Sequence, residues 1–179
     1  MAAVGVGILA LIVLLVSILG NGLSSFRQTY VSFPVELVAE RLDPQGNRNP
    51  AEMASVTTFG YLPLLAQSFE AHLAAEGLEH DINIRDLAGM LSDAAPAQIR
   101  EMVLANPEMV GTTIDVEILA NGRIDGYFKG RVTLETAERD SQVTPEQVML
   151  AQAMADAGLI ETRFNWDFIT SPDASGSRP

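Results

Sequence analysis

The residue types best suited to chemistry lie between positions 70 and 90. His72 and Glu76 stand four apart, with His80 and Asp81 close behind, so an imidazole–carboxylate metal site can be drawn. The spacing is not that of HExxH, and no third ligand is specified. A solvated acidic helix end with one half-buried histidine accounts for the same residues. Asp81, Asn83 and Asp86 lack both the spacing of a calcium loop and its terminal glutamate. No phosphate-binding glycine loop, dinucleotide fingerprint or nucleophile elbow occurs. There is no cysteine, which excludes disulfides, thiolate catalysis and cysteine-based zinc sites. Asp115 and Glu117 fall on the polar side of an alternating segment, where solvation explains them. The sequence therefore offers no catalytic residue, no metal site and no cofactor.

Charge narrows the partners. The chain has 179 residues and a formal net charge of −12, from 23 acidic and 11 basic side chains. The first charged residue is Arg27, so all of that charge follows an apolar start. Such a surface is a poor ligand for nucleic acid, whose phosphates are held by clustered Lys and Arg, and it repels small anions. One local cluster runs the other way. Arg123, Lys129 and Arg131 gather within a short stretch and are the candidate docking residues for an acidic partner or lipid headgroups. A solvated turn explains them equally.

The elements that must position these residues begin with the start of the chain. From Ala2 to Leu19 the residues are Ala, Val, Gly, Ile and Leu, with Ser17 the only polar one. At about 1.5 Å per residue that run approaches the hydrocarbon thickness of a bilayer. Gly20, Asn21 and Gly22 read as a helix stop. The expectation is a transmembrane helix over residues 1–22, in contact with lipid through residues 2–20. A cleaved signal peptide and a buried core helix are the competing readings; no Lys or Arg precedes the run, and its length exceeds the usual signal core. The acidic segment that follows favours the outside face.

Residues 23–170 read as a single α+β domain with antiparallel strands. Val31, Phe33, Val35 and Leu37 alternate with polar residues, and Pro34 demotes this strand to an edge or irregular one. Asp43 to Ala54 reads as a loop. Leu62 to Ala75 is an amphipathic helix with Leu62, Leu65, Phe69, His72 and Leu73 near one face. Helices follow over Ile84–Leu91 and from Pro96 to Asn106-Pro107, the latter with Ile99, Met102 and Val103 on one side. Ile114, Val116 and Ile118 form a strand, and Asn121-Gly122 predicts a tight turn with Arg123–Lys129 returning as its partner. Thr144-Pro145-Glu146-Gln147 is a capping box that opens a helix running to Gly158. Ile160–Ile169 closes the domain as a strand with Phe164, Trp166 and Phe168 on one face, and residues 171–179 read as a disordered tail.

Three segments resemble one family. Ile99-Arg-Glu-Met-Val-Leu-Ala-Asn-Pro107, Val110-Gly-Thr-Thr113 and Gly158-Leu-Ile-Glu-Thr-Arg-Phe-Asn-Trp-Asp-Phe-Ile-Thr170 resemble the N-terminal extracytoplasmic domain of bacterial phosphate ABC-transporter permease subunits of PstA type. Gly22 to Val31, with Phe26, Thr29 and Tyr30, looks like that family's passage from its first membrane helix into the domain. The Arg163-Phe164-Asn165-Trp166 stretch is the most specific part. The resemblance implies a non-catalytic accessory domain on the periplasmic face of the inner membrane, contributing to phosphate uptake through protein contacts. Its implied partners are the other permease subunit and the periplasmic phosphate-binding protein. Such permeases continue into several further membrane helices, which this sequence does not contain. A membrane-anchored binding or scaffold module unrelated to phosphate is the alternative, and a metal enzyme at His72 and Glu76 a third.

Overall fold

The computed structural model describes residues 2–165, and within its first helix it describes side chains for residues 5–18. The chain divides into two compact units, residues 1–28 with 162–179, and Thr29–Glu161.

The first unit opens with helix α1, Ala2–Ser25. It continues through Gly20, Asn21 and Gly22, which were expected to stop it; glycine inside a helix costs only about 1 kcal/mol, which an apolar helix of this length carries. Every side chain described in α1, residues 5–18, is exposed. Among the described residues, no helix is long and apolar enough to cross a membrane. The expected span over residues 1–22 thus extends beyond the described side chains. At the other end of this unit, the Asn165 amide donates to the Phe26 carbonyl at 2.7 Å, and the Asn165 side chain donates to Gln28 Oε1 at 2.7 Å. Arg27 donates to the Thr162 carbonyl at 3.1 Å, and the Phe26 and Phe164 rings lie 5.9 Å apart. Trp166, Phe168, Ile169 and the tail lie outside the described residues.

The second unit is mixed α and β around a three-stranded antiparallel sheet in the order β2-β1-β3. Strand β1 is Arg27–Glu36, β2 is Thr113–Leu119 and β3 is Ile160–Phe164. The register of β1 on β2 sets Val31 against Ile118, Phe33 against Val116 and Val35 against Ile114. Alternation places Val31, Phe33 and Val35 in the core and leaves Ser32 and Glu36 exposed.

β1 is thus the central strand, not the edge that Pro34 suggested. The reason lies in which side the missing amide faces. Ser32 donates its amide to the Leu159 carbonyl at 3.0 Å on the β3 side. Two residues further, Pro34 faces the same side, but β3 begins only at Ile160, so no strand there requires a donor. Glu36, next on that side, donates to Ser68 Oγ at 3.2 Å.

Helices cover the buried face. After α2 (Ala39–Leu42), the segment expected as a loop contains one helical turn, α3 (Pro50–Met53), because Asn49 caps it and Pro50 fits its first position. Helix α4, Thr58–Ala75, starts four residues earlier than its periodicity implied and accommodates Pro63 inside it. Its buried side includes Tyr61, Leu65, Phe69 and Leu73, with Phe69 and Phe33 rings 5.0 Å apart. Leu62, expected on that side, is exposed, and His72 is half-buried. α4 packs against α5 (Ile84–Ala88) and α6 (Ala95–Ala105). Ile99 and Val103 of α6 are buried, whereas Met102 is exposed.

The return strand expected after Asn121-Gly122 is a helix, α7 (Gly122–Phe128). Asn121 accepts from the amides of Arg123 and Ile124, at 2.9 and 2.8 Å, and so acts as an N-cap instead of a turn residue. β1 holds the inner edge of β2, and at the turn end the outer edge is met by Leu91, which bridges Ala120, with Ser92 donating to the Leu119 carbonyl at 2.8 Å. A short α8 (Leu134–Ala137) precedes α9 (Pro145–Asp156). The capping box of α9 forms as read, with Thr144 and Gln147 each accepting from the other's amide, and Gly158 follows the helix at φ +79°.

Candidate functional site

The three cations singled out as docking residues fall on and just after α7, and each meets a carboxylate. Lys129 Nζ lies 2.7 Å from Asp125 Oδ2, one helical turn earlier, with its side chain only 8% exposed. Arg131 reaches the same oxygen at 3.4 Å from the surface. Arg123 lies 3.3 Å from Asp140 Oδ2 and donates to Gln142 Oε1 at 3.0 Å. Lys129 and Arg131 are therefore brought together on Asp125, while Arg123 pairs separately with Asp140. Two carboxylates offset most of three positive charges, so the cluster offers a docking partner much less potential than the sequence implied.

Asp125 does more than pair. Its Oδ1 accepts both the amide and the hydroxyl of Thr29, at 3.1 Å each. Thr29 is buried at the start of β1, so α7 is fastened to the central strand through one carboxylate. Beside this cluster, a cleft of about 540 Å³ is lined by Gly89, Asp93, Asn121, Gly122, Arg123 and Gln142. The Asn121 side chain closes one wall by donating to the Gly89 carbonyl.

The candidate metal residues are not assembled. His72 borders a cleft with Pro34, Glu36 and Ser68, whereas His80 borders another with Glu70, Glu79 and Asp81. Glu76 is the C-cap of α4. Asn83 caps α5 and binds Asp86, at 3.0 Å from its amide and 2.7 Å from its carboxylate. Among the described residues, no three His, Asp or Glu side chains are grouped to hold a metal.

Two groups have displaced proton affinities. Burial raises the Tyr61 hydroxyl above its ordinary range, with nearby Arg100 pulling the other way, and that hydroxyl has no hydrogen-bond partner among the described residues. Glu146, in the first turn of α9, is lowered by its own backbone amide and by the Thr144 hydroxyl.

One surface escaped the sequence reading. Phe59, near the start of α4, is 82% exposed, and Leu62 beside it 43%. The signal was available as a run without charge, residues 53–69, in a strongly acidic chain.

Comparison with known proteins finds a match over residues 1–138 to a family described as a domain of unknown function, DUF3333. No curated protein and no solved structure matches. The match takes in the apolar start, the β1–β2 pair and α7 with its Asp125 anchor, and by that extent the chain belongs to the DUF3333 family.

Proposed function

We propose that this chain is a membrane-attached, non-catalytic accessory domain of a PstA-type phosphate permease subunit, exposed on the periplasmic face. The observation that carries the reading is the hydrogen bonding of Asn165 to Phe26 and Gln28. Asn165 belongs to the stretch with the most specific resemblance to such permeases, and Phe26 and Gln28 to the segment that resembles their passage from the first membrane helix into the domain. Where they meet, the chain enters and leaves the domain side by side, a geometry suited to a domain inserted between membrane helices. The outward-facing apolar side chains of α1, Val6 through Ile18, favour a hydrocarbon medium over water and support attachment there.

The role runs through protein contacts. An anion site needs converging N–H donors or free cations, and the cations expected to dock partners are largely spent on Asp125 and Asp140.

The test is co-purification and uptake. A tag on the complete permease should bring down the partner permease subunit and the phosphate-binding protein, and deleting Thr29–Glu161 should reduce phosphate uptake. The segment Arg27–Thr170 alone should show no phosphate binding by calorimetry up to millimolar concentrations. Tight, saturable phosphate binding would overturn the accessory role. Recovery with partners unrelated to phosphate would favour a membrane-anchored scaffold instead.

A further inference from the structure

Residues 53–69 carry no charged side chain, although the chain as a whole has 23 acids and 11 bases. Within this run, Phe59, Leu62 and Pro63 are all exposed at the start of α4. Spacings of three and four residues set them on one face of the helix. A phenylalanine ring 82% exposed gains nothing from the core and is available to an outside partner.

Two arginines hydrogen-bond to this uncharged run, one on each side of Phe59 in sequence. Arg100 donates to the Val56 and Ala54 carbonyls, at 2.9 and 2.7 Å, just ahead of α4. Arg41 donates to Gln67 Oε1 at 3.3 Å, one turn beyond Pro63. Neither guanidinium has a carboxylate within 4.0 Å among the described residues. Each keeps further N–H donors, five being available per guanidinium. An exposed aromatic near two arginines that lack a carboxylate partner among the described residues, with acids excluded from the segment, complements phosphate groups lying above an apolar layer.

We infer that the start of α4 is a lipid contact: Phe59 and Leu62 enter the membrane interface while Arg41 and Arg100 meet headgroup phosphates. This rests on the attachment through α1 proposed above. Only three residues lie between Ser25 and Thr29, a reach of roughly 14 Å at most. A domain tethered that closely experiences a high effective concentration of membrane, so a small contact suffices to orient it. The remaining acidic surface is repelled by anionic lipid, which makes this face the favoured one.

The absence of cysteine allows single-site labelling of the full chain. An environment-sensitive fluorophore at Thr58→Cys is compared with one at Met149→Cys, an exposed position on α9. The labelled chains are reconstituted into phosphatidylcholine–phosphatidylglycerol vesicles containing brominated lipid, and vesicle flotation reports attachment independently. The Thr58 label should be quenched about twofold more than the Met149 label. Phe59→Glu should abolish that difference with circular dichroism and flotation unchanged, and inorganic phosphate should not. Flotation without differential quenching overturns the lipid contact and leaves attachment through α1 standing. Failure to float overturns both. A blue-shifted Thr58 label that bromolipid does not quench identifies a second copy or another protein as the occupant, and a response to phosphate without vesicles identifies a free-anion site; either result overturns the inference.

Discussion

Asp125 Oδ1 takes both the amide and the hydroxyl of Thr29, so a surface helix supplies the acceptor for a donor pair at the buried start of the central strand. Replacing Asp125 by Ala removes the acceptor that both donors use and releases Lys129 from its ion pair. Unsatisfied buried groups cost about 1–3 kcal/mol each, so Asp125→Ala should lower stability by about 3 kcal/mol. Urea unfolding of the segment Arg27–Thr170 measures this. A loss below about 1 kcal/mol would mean that Thr29 finds other acceptors.

The three cations should behave unequally. Lys129 is nearly buried against Asp125, so Lys129→Glu sets two carboxylates together with little solvent and should cost about 3 kcal/mol or more. Arg131 is 61% exposed and Arg123 44%, and charge reversal at either should stay within about 1 kcal/mol. Arg123→Glu with Arg131→Glu is therefore the clean test of docking. Weaker partner association in that double variant, most evident at low salt, would support a residual role for the cluster.

Tyr61 carries a pH prediction. Burial raises its folded pKa above the usual tyrosine value of about 10, so above that pH the unfolded chain releases a proton that the folded chain retains. Stability should fall as pH rises past about 10. Tyr61→Phe should flatten this alkaline loss and, by removing a buried hydroxyl without a partner among the described residues, stabilise the domain by about 1 kcal/mol at neutral pH. A destabilised Tyr61→Phe variant would reveal a hydrogen bond to that hydroxyl.

At the acid end, Thr144→Ala should cost about 1 kcal/mol by removing the cap of α9. It should also raise the depressed pKa of Glu146, whose second cause is the Thr144 hydroxyl. Because the folded pKa is the lower one, Glu146 contributes stability above its unfolded value, and the contribution is lost as pH falls through the folded value. Titration of the Glu146 carboxyl by NMR in both proteins would show the shift, and an unchanged value would remove Thr144 as a cause.

Local signals were legible where one residue's own side chain settles the outcome. Thr144 and Gln147 formed the box their spacing predicted, and Val116 with Ile118 alternated into the core. Signals failed where a distant partner decides. Pro34 reads as an edge residue only if a neighbour strand runs beside it, and β3 starts too late to do so. Asn121-Gly122 serves a hairpin or a helix cap equally. The choice fell to residues some thirty positions earlier, where Leu91 bridges Ala120 on the outer edge of β2, while Ile124, Tyr127 and Phe128 carried a helical spacing. The cations at 123, 129 and 131 were visible in the sequence, but the acids that neutralise them were not, because Asp125 and Asp140 reach them only once α7 is coiled.

The pairing of Phe26 with Asn165 also determines how the domain bears load. Its two ends emerge from the same end of an antiparallel strand pair, so tension applied through them acts on one hydrogen bond at a time, unzipping Asn165 from Phe26 before it reaches Ser32 and Leu159. Strands sheared lengthwise would resist with all their bonds together; these peel in sequence. In an optical trap the β1–β3 seam should open at low force, ahead of β2, making it the mechanical fuse of the domain.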